Sequence, residues 1–225
     1  MKELFKKIIP AWVIKRYRNR GRNTAKVFTE TYNKNLWGSS ESISGTGSEI
    51  NQTKTLIKDL EKLLNALDIK TVLDIPCGDL NWMQNIDLSK VEYIGADIVK
   101  KLIEKNITRY KEKNNFKFEV INLIKDPLPV SDIIIVRDCL VHLSYTDIFT
   151  AIENIKSSGC KYLLTTTFTN HSVNSDIITG GWRTINLQEK PFNFPPPVLS
   201  INENCTESNG AYNDKSMALW EIDKI

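Results

Sequence analysis

The stretch Thr71-Val72-Leu73-Asp74-Ile75-Pro76-Cys77-Gly78-Asp79-Leu80-Asn81-Trp82 decides how this chain is read. Val72, Leu73 and Ile75 form a β-favouring apolar run with Lys70 at its wet end. The run breaks into a turn of acids, proline and glycine. Gly78 admits a backbone conformation or a close ligand approach that a side chain would block. In α/β sheets, ligands bind in the crevice at the carboxyl ends of the strands, so this turn is a candidate binding loop. Asp, Pro and Gly are also ordinary loop residues, and the rest of the chain has to decide between the two readings.

Downstream, residues 91–97 predict a second strand ending at Asp97, and Leu102, Ile103, Ile107 and Tyr110 then recur at helical spacing. Residues 116–121 alternate as a third strand that ends at Asn122. Residues 133–136 are wholly apolar and predict a central fourth strand. A helix carrying Ile148, Phe149, Ile152 and Ile155 follows, stopped by Gly159. Strands are predicted again over 162–168 and 216–222. Upstream, Leu56, Ile57, Leu60, Leu63, Leu64 and Leu67 form one apolar stripe, with Ser48 as its expected N-cap and Glu49 in its first turn. Strands alternating with helical stripes at this spacing predict an α/β fold, a parallel sheet with crossover helices. Between 169 and 209 the pattern breaks. Gly180-Gly181, Pro191 and Pro195-Pro196-Pro197 exclude a long helix there, and the stretch reads as a substrate loop.

With 225 residues, 41% hydrophobic and 25% charged, the chain can bury one full-sized core. No apolar run reaches membrane-spanning length, and the N-terminus has no long apolar stretch with a cleavage site. Cys77, Cys139, Cys160 and Cys205 are scattered, which predicts reduced thiols in a cytoplasmic protein and neither a zinc site nor a disulfide framework. With only His142 and His171 as histidines, no metal is expected. Residues 1–26 hold nine Lys/Arg against Glu3, which leaves 21 basic and 26 acidic residues in the remainder. The chain is therefore an acidic domain, 37–225, behind a basic amphipathic extension, 1–36. That extension can lie on an anionic membrane face at the inner side of the membrane, or pack across the domain with its lysines in water. The absence of a basic groove elsewhere argues against nucleic acid.

Asp97 stands about twenty residues beyond the glycine turn, where nucleotide-binding α/β folds place the acid that takes ribose hydroxyls. The turn itself, Asp-Ile-Pro-Cys-Gly-Asp, lacks the Gly-x-Gly-x-x-Gly fingerprint. Its acids would repel a pyrophosphate, which argues against a nicotinamide-dependent oxidoreductase. They suit a ligand with an adenosine and a positive charge but no phosphates. S-adenosylmethionine has those properties.

Residues 73–79 resemble the first motif of the class I S-adenosylmethionine-dependent methyltransferases, with Pro76 departing from that motif's first glycine. The resemblance implies a Rossmann-like sheet, mostly parallel with its last strand antiparallel and helices on both faces. It implies cofactor contacts at Asp74, Pro76, Gly78, Asp97, Ile98, Asn122 and Arg137. Trp37, Ser44-Gly45-Thr46-Gly47-Ser48, Arg137-Asp138 with Val141-His142-Leu143, and Gly180-Gly181-Trp182-Arg183 are similar to bacterial methyltransferases of surface-polysaccharide modification. That similarity implies O-methylation of a capsule precursor, a nucleotide-linked sugar or a phosphoramidate group. It also implies that residues 37–68, with Ser44, Gly45 and Gly47, cover the cofactor. The residues alone leave that serine-glycine loop open between an anion cradle and a linker.

Methyl transfer to a hydroxyl needs alignment and a base. His142 and Asp138 are the candidates, although His142 can instead line the pocket and Asp138 can cap a helix begun by Cys139. His171, Trp182 and Arg183 are candidate substrate contacts. Trp182 offers a stacking face and Arg183 a planar fork for an anion. An N- or carboxyl-methyltransferase and a catalytically silent cofactor-binding module remain as alternatives.

Overall fold

The computed structural model describes residues 23–225, so most of the basic extension lies outside the described residues. Seven strands form one sheet in the order β3-β2-β1-β4-β5-β7-β6. They are β1 (Thr71–Asp74), β2 (Glu92–Asp97), β3 (Phe116–Val120), β4 (Ile133–Val136), β5 (Tyr162–Phe168), β6 (Leu199–Asn202) and β7 (Lys215–Glu221). β1 to β5 run parallel, with Leu73 level with both Ile94 and Ile134, whereas β7 is antiparallel to β5 and β6. The helices of ten residues or more are α1 (Thr24–Asn33), α2 (Ile50–Ala66), α3 (Lys100–Arg109) and α4 (Tyr145–Lys156), and a single helical turn spans Glu207–Gly210.

The period of two along each strand sends alternate residues to two separate cores. Leu73, Ile134, Val136 and Leu163 pack against Ile148, Ile152 and Ile155 of α4. Val72, Ile133, Ile135 and Leu164 pack against Leu56, Leu60, Leu63 and Leu64 of α2. Ile133 to Val136 are each fully buried, the environment expected of a central parallel strand. At about 1.5–3 kcal/mol for each buried aliphatic side chain, these two layers hold the frame that presents the strand ends.

Two expectations are corrected. Ser48 does not cap α2; it lies in the 3₁₀ turn Thr46–Ser48, and Glu49 occupies the cap position. The exposed Ile50 N–H instead donates to Glu41 Oε1 at 2.8 Å, so a side chain nine residues upstream meets the need a capping serine would have met. Nor is 169–209 one loop. Ile185 and Leu187 are fully buried, and Trp220 donates to the Pro195 carbonyl at 2.8 Å while its ring meets Phe194 edge-on. The chain then closes the sheet as β6. That strand is four residues long and on the edge, too short for alternation to announce it.

Among the described residues, no helix is long and apolar enough to cross a membrane.

Candidate active site

The carboxyl ends of β1, β2 and β4 open into a cleft of about 1100 Å³, counted out to its mouth. The turn after β1 forms its floor. Gly78 has φ +56°, and a Cβ placed there would stand 2.2 Å from Ser44 Oγ. The serine loop therefore rests directly on this glycine. Asp79 fastens that loop, because its carboxylate accepts from Ser42 Oγ (2.9 Å), the Ile43 N–H (3.0 Å) and Ser44 Oγ (3.2 Å). Asp97 accepts from the Val99 N–H at 2.9 Å and the Gly78 N–H at 3.3 Å, which joins the turns after β1 and β2. Asp74 accepts a 2.6 Å bond from the buried Tyr93 hydroxyl. From α1, Thr24, Phe28 and Tyr32 close the cleft on its far side.

Burial dominates the ionisation of both floor acids. It pushes Asp74 up to about 7 against the Tyr93 bond and Arg137, and Asp97 up to about 6 against three backbone N–H bonds. Both carboxyls thus hold protons in the folded chain that they lose when unfolded. Their contribution to stability is full below the ordinary aspartate range and is lost as pH rises from about 4 to about 7. Melting temperature should follow that slope, and Asp74→Asn should flatten its upper part. A variant as steep as the native chain would refute the assignment. A cation bound in the cleft should raise the stability most at the alkaline end.

Beside the cleft lies a buried charge cluster that sequence reasoning only half found. Arg137 donates from Nε to Glu203 Oε1 (3.0 Å) and from Nη2 to Glu203 Oε2 (2.7 Å) and the Gly47 carbonyl (2.7 Å). Lys215 Nζ lies 2.6 Å from Asp138 Oδ2 and 3.3 Å from Glu203 Oε2. Asp138 has φ +50°, and its N–H donates to Thr166 Oγ1 at 2.8 Å. It caps no helix; Cys139 holds that position before the 3₁₀ turn Leu140–His142. Although burial opposes ionisation, Lys215 and then Arg137 hold the Asp138 carboxyl well below the usual range. A carboxylate so stabilised is a poor proton acceptor.

His142 is the better placed of the two. Its Nδ1 is 2.7 Å from the Gly181 carbonyl, an arrangement in which Nδ1–H donates and the lone pair sits on Nε2. Its ring packs against Trp37 at 5.9 Å and Phe28 at 6.4 Å.

A second cavity of about 790 Å³ adjoins the first, and Trp37, Ser44, Asp138 and His142 line both. This sorts the residues named from sequence. Asp74, Pro76, Gly78, Asp97, Ile98, Asn122 and Arg137 line the cleft. Gly45 and Gly47, expected over the cofactor, line the second cavity instead, because Asp79 draws only Ser42 to Ser44 inward. Trp182 also lines that cavity. His171 lines neither; its Nδ1 is 3.3 Å from Asp214.

Arg183 is not available to a substrate either. Its guanidinium is buried and donates to the carbonyls of Leu140 (2.8 Å), Leu143 (2.8 Å) and Ser175 (3.3 Å). Burial brings it down to about 10. It ties the Gly180-Gly181 loop to the turn that carries His142. Arg183→Met should cost about 3 kcal/mol in urea unfolding, by leaving buried carbonyls unpaired. A loss under 0.5 kcal/mol would contradict this role.

Neither a family model nor a curated protein matches the sequence. The fold does find solved counterparts. Human N-acetylserotonin methyltransferase in complex with S-adenosylmethionine superposes with a TM-score of 0.57 at 12% identity, over 90% of this chain and 60% of that one. Magnesium protoporphyrin IX methyltransferase from Synechocystis with bound S-adenosylmethionine gives 0.52 at 13%, over 69% and 81%. The N-methyltransferase NodS from Bradyrhizobium japonicum gives 0.50 at 14%, over 73% and 94%. The fold is the Rossmann-like methyltransferase fold.

Within this methyltransferase fold, sequence reasoning missed Glu203, Lys215, Glu207 and Tyr212. Each comes from β6, β7 or the turns beside them, far along the chain from the glycine turn. No local signal marked them, since Glu203 sits between Asn202 and Asn204 and Lys215 between Asp214 and Ser216.

Proposed function

We propose that the protein is an S-adenosylmethionine-dependent methyltransferase acting on a hydroxyl. The observation that carries this reading is the shared wall of the two cavities, where Asp138 and His142 face both sides. The residues of the cleft fit the cofactor: acids at Asp74, Asp79 and Asp97, no lysine among the described lining residues, and a glycine turn that a Cβ would fill. Solved counterparts of the same fold hold S-adenosylmethionine. When bound, it supplies a methyl already activated on a sulfonium, so the protein's work is alignment and deprotonation.

Asp97 would take the ribose hydroxyls, with Ile98 and Asn122 against the base. Asp74 and Gly78 would sit on the methionine side, under Ser44. In the second cavity the acceptor hydroxyl would give its proton to Nε2 of His142 as the new O–CH₃ bond forms. The Gly181 carbonyl holds the imidazole in the required tautomer and would stabilise the imidazolium. Asp138 would act by its fixed negative charge and its position.

The finer reading is O-methylation of a surface-polysaccharide precursor. It rests on the motif resemblance, and the aromatic wall at Trp182 is compatible with a sugar ring. Among the precursors, a sugar hydroxyl suits the site better than a phosphoramidate, because Arg137 and Arg183 are both committed within the protein.

Calorimetric titration of the purified chain with S-adenosylmethionine and S-adenosylhomocysteine should give saturable one-site binding for each. Labelled methyl should then pass to a hydroxyl acceptor. Binding of neither compound would end the proposal, and binding with transfer only to nitrogen or carboxylate acceptors would correct its acceptor.

A further inference from the structure

The second cavity carries more information than its adjacency to the cleft. One wall is an aromatic corner: Trp182 meets Tyr212 at 5.1 Å and 63°, and Phe168 meets both rings nearly edge-on at 6.4 and 6.0 Å. Trp182 is 46% exposed despite these contacts, so an indole face remains open to a ligand. The opposite wall is polar. Glu207 accepts from Thr46 Oγ1 at 2.5 Å, and its Oε2 would be 3.2 Å from a Cβ on Gly47. Among the described residues, Lys215 is the one lysine or arginine on the lining, and it is spent on Asp138 and Glu203. With Arg137 counted, the cluster sets three carboxylates against two cations, both paired.

Resting on the methyltransferase reading, we propose that this cavity is an acceptor pocket for a ring with an apolar face and hydroxyl or amine donors. We further propose that Glu207 is the residue that selects for those donors and against anions. The ring would lie on Trp182 and Tyr212, with its donors directed to the Glu207 carboxylate. A neutral or cationic ring meets hydrogen-bond acceptors there. A phosphate or carboxylate meets a wall where, among the described residues, Glu207 and Asp138 are acidic and the one lysine is already paired, which is rejection by an unpaired charge. Gly47 contributes by its lack of a side chain, since a Cβ there would stand 3.2 Å from Glu207 Oε2, closer than ordinary contact.

The test uses the full chain and matched probes read by saturation-transfer NMR and calorimetry, with and without saturating S-adenosylhomocysteine. Benzyl alcohol, benzylamine and benzoate contrast neutral and charged substituents on one aromatic ring. Methyl glucopyranoside and glucose 6-phosphate do the same for a pyranose, and the two sets distinguish which ring source fits. The neutral and cationic probes should bind at least ~10-fold tighter than their anionic counterparts, a difference of about 1.4 kcal/mol. Glu207→Gln, which keeps size and acceptor geometry, should shrink that ratio toward unity. Trp182→Ala should weaken every ring at least ~5-fold without changing the ratio. Benzoate binding as tightly as benzyl alcohol would overturn the proposal. So would an unchanged ratio in a Glu207→Gln protein that melts like the native one, or no binding by any ring. The ranking without S-adenosylhomocysteine reads this pocket alone. Failure of that compound to bind would strike the cofactor assignment instead.

Discussion

Gly78→Ala should abolish useful cofactor affinity while leaving a folded protein. Two effects act in the same direction. Alanine at φ +56° bears the left-handed penalty of about 1–2 kcal/mol. Its Cβ would also occupy the position 2.2 Å from Ser44 Oγ, so the serine must leave. Ser44 cannot move by itself, because Ser42, Ile43 and Ser44 are all bonded to the Asp79 carboxylate. The whole covering loop would lift from the cleft, and the Asp97 bond to the Gly78 N–H, already 3.3 Å, would be strained with it. S-adenosylhomocysteine affinity should fall by at least ~30-fold, about 2 kcal/mol, in calorimetry. The melting temperature should fall by only a few degrees, since the substitution removes no side chain from either core, although Cys77 and Leu80 beside it pack in one of them. Native affinity in this variant would show that the loop does not rest on the glycine in solution.

His142→Ala should lower kcat on a hydroxyl acceptor by ~10²–10⁴-fold, the range for losing a positioned general base. Cofactor affinity should change little, because the floor acids and the Gly78 turn are untouched. Asp138→Asn should behave differently. It leaves Lys215 short of a partner in a buried cluster, so its first effect should be on stability, and kcat should fall with it. A His142→Ala enzyme with turnover nearly intact would sink the base assignment and point to an acceptor that is already ionised. That outcome would also count against the anion-rejecting pocket, so the two proposals constrain each other.

The cleft was largely legible in the sequence, and the second cavity was not. The cleft is built from positions with a fixed relation to strand ends: Asp74 at the end of β1, Asp97 at the end of β2, and Arg137-Asp138 after β4. A strand end can be read locally, because an apolar run must stop where the chain meets water. The misplacements came from residues in irregular segments. His171 and Arg183 stand in the same stretch as Trp182, and nothing local distinguishes an arginine that binds carbonyls from one that binds a ligand. The structure separates them by burial, since Arg183 is 7% exposed and Trp182 is 46% exposed. Gly45 and Gly47 line the second cavity for a related reason. The motif named a loop, but Asp79 decides which of its residues turn inward.

By itself the sequence determined the parallel α/β sheet, because the alternation of apolar strands and helical stripes leaves few other ways to bury both. It also determined the acidic glycine turn and the acid twenty residues beyond it, since both depend on near neighbours in the chain. Only the tertiary structure decided the antiparallel closure through β6, the pairing of Arg137 with Glu203 and of Lys215 with Asp138, and the meeting of two cavities at His142. The two ion pairs join residues 66 and 77 positions apart, and the energy that joins them exists only once water has been excluded from between them.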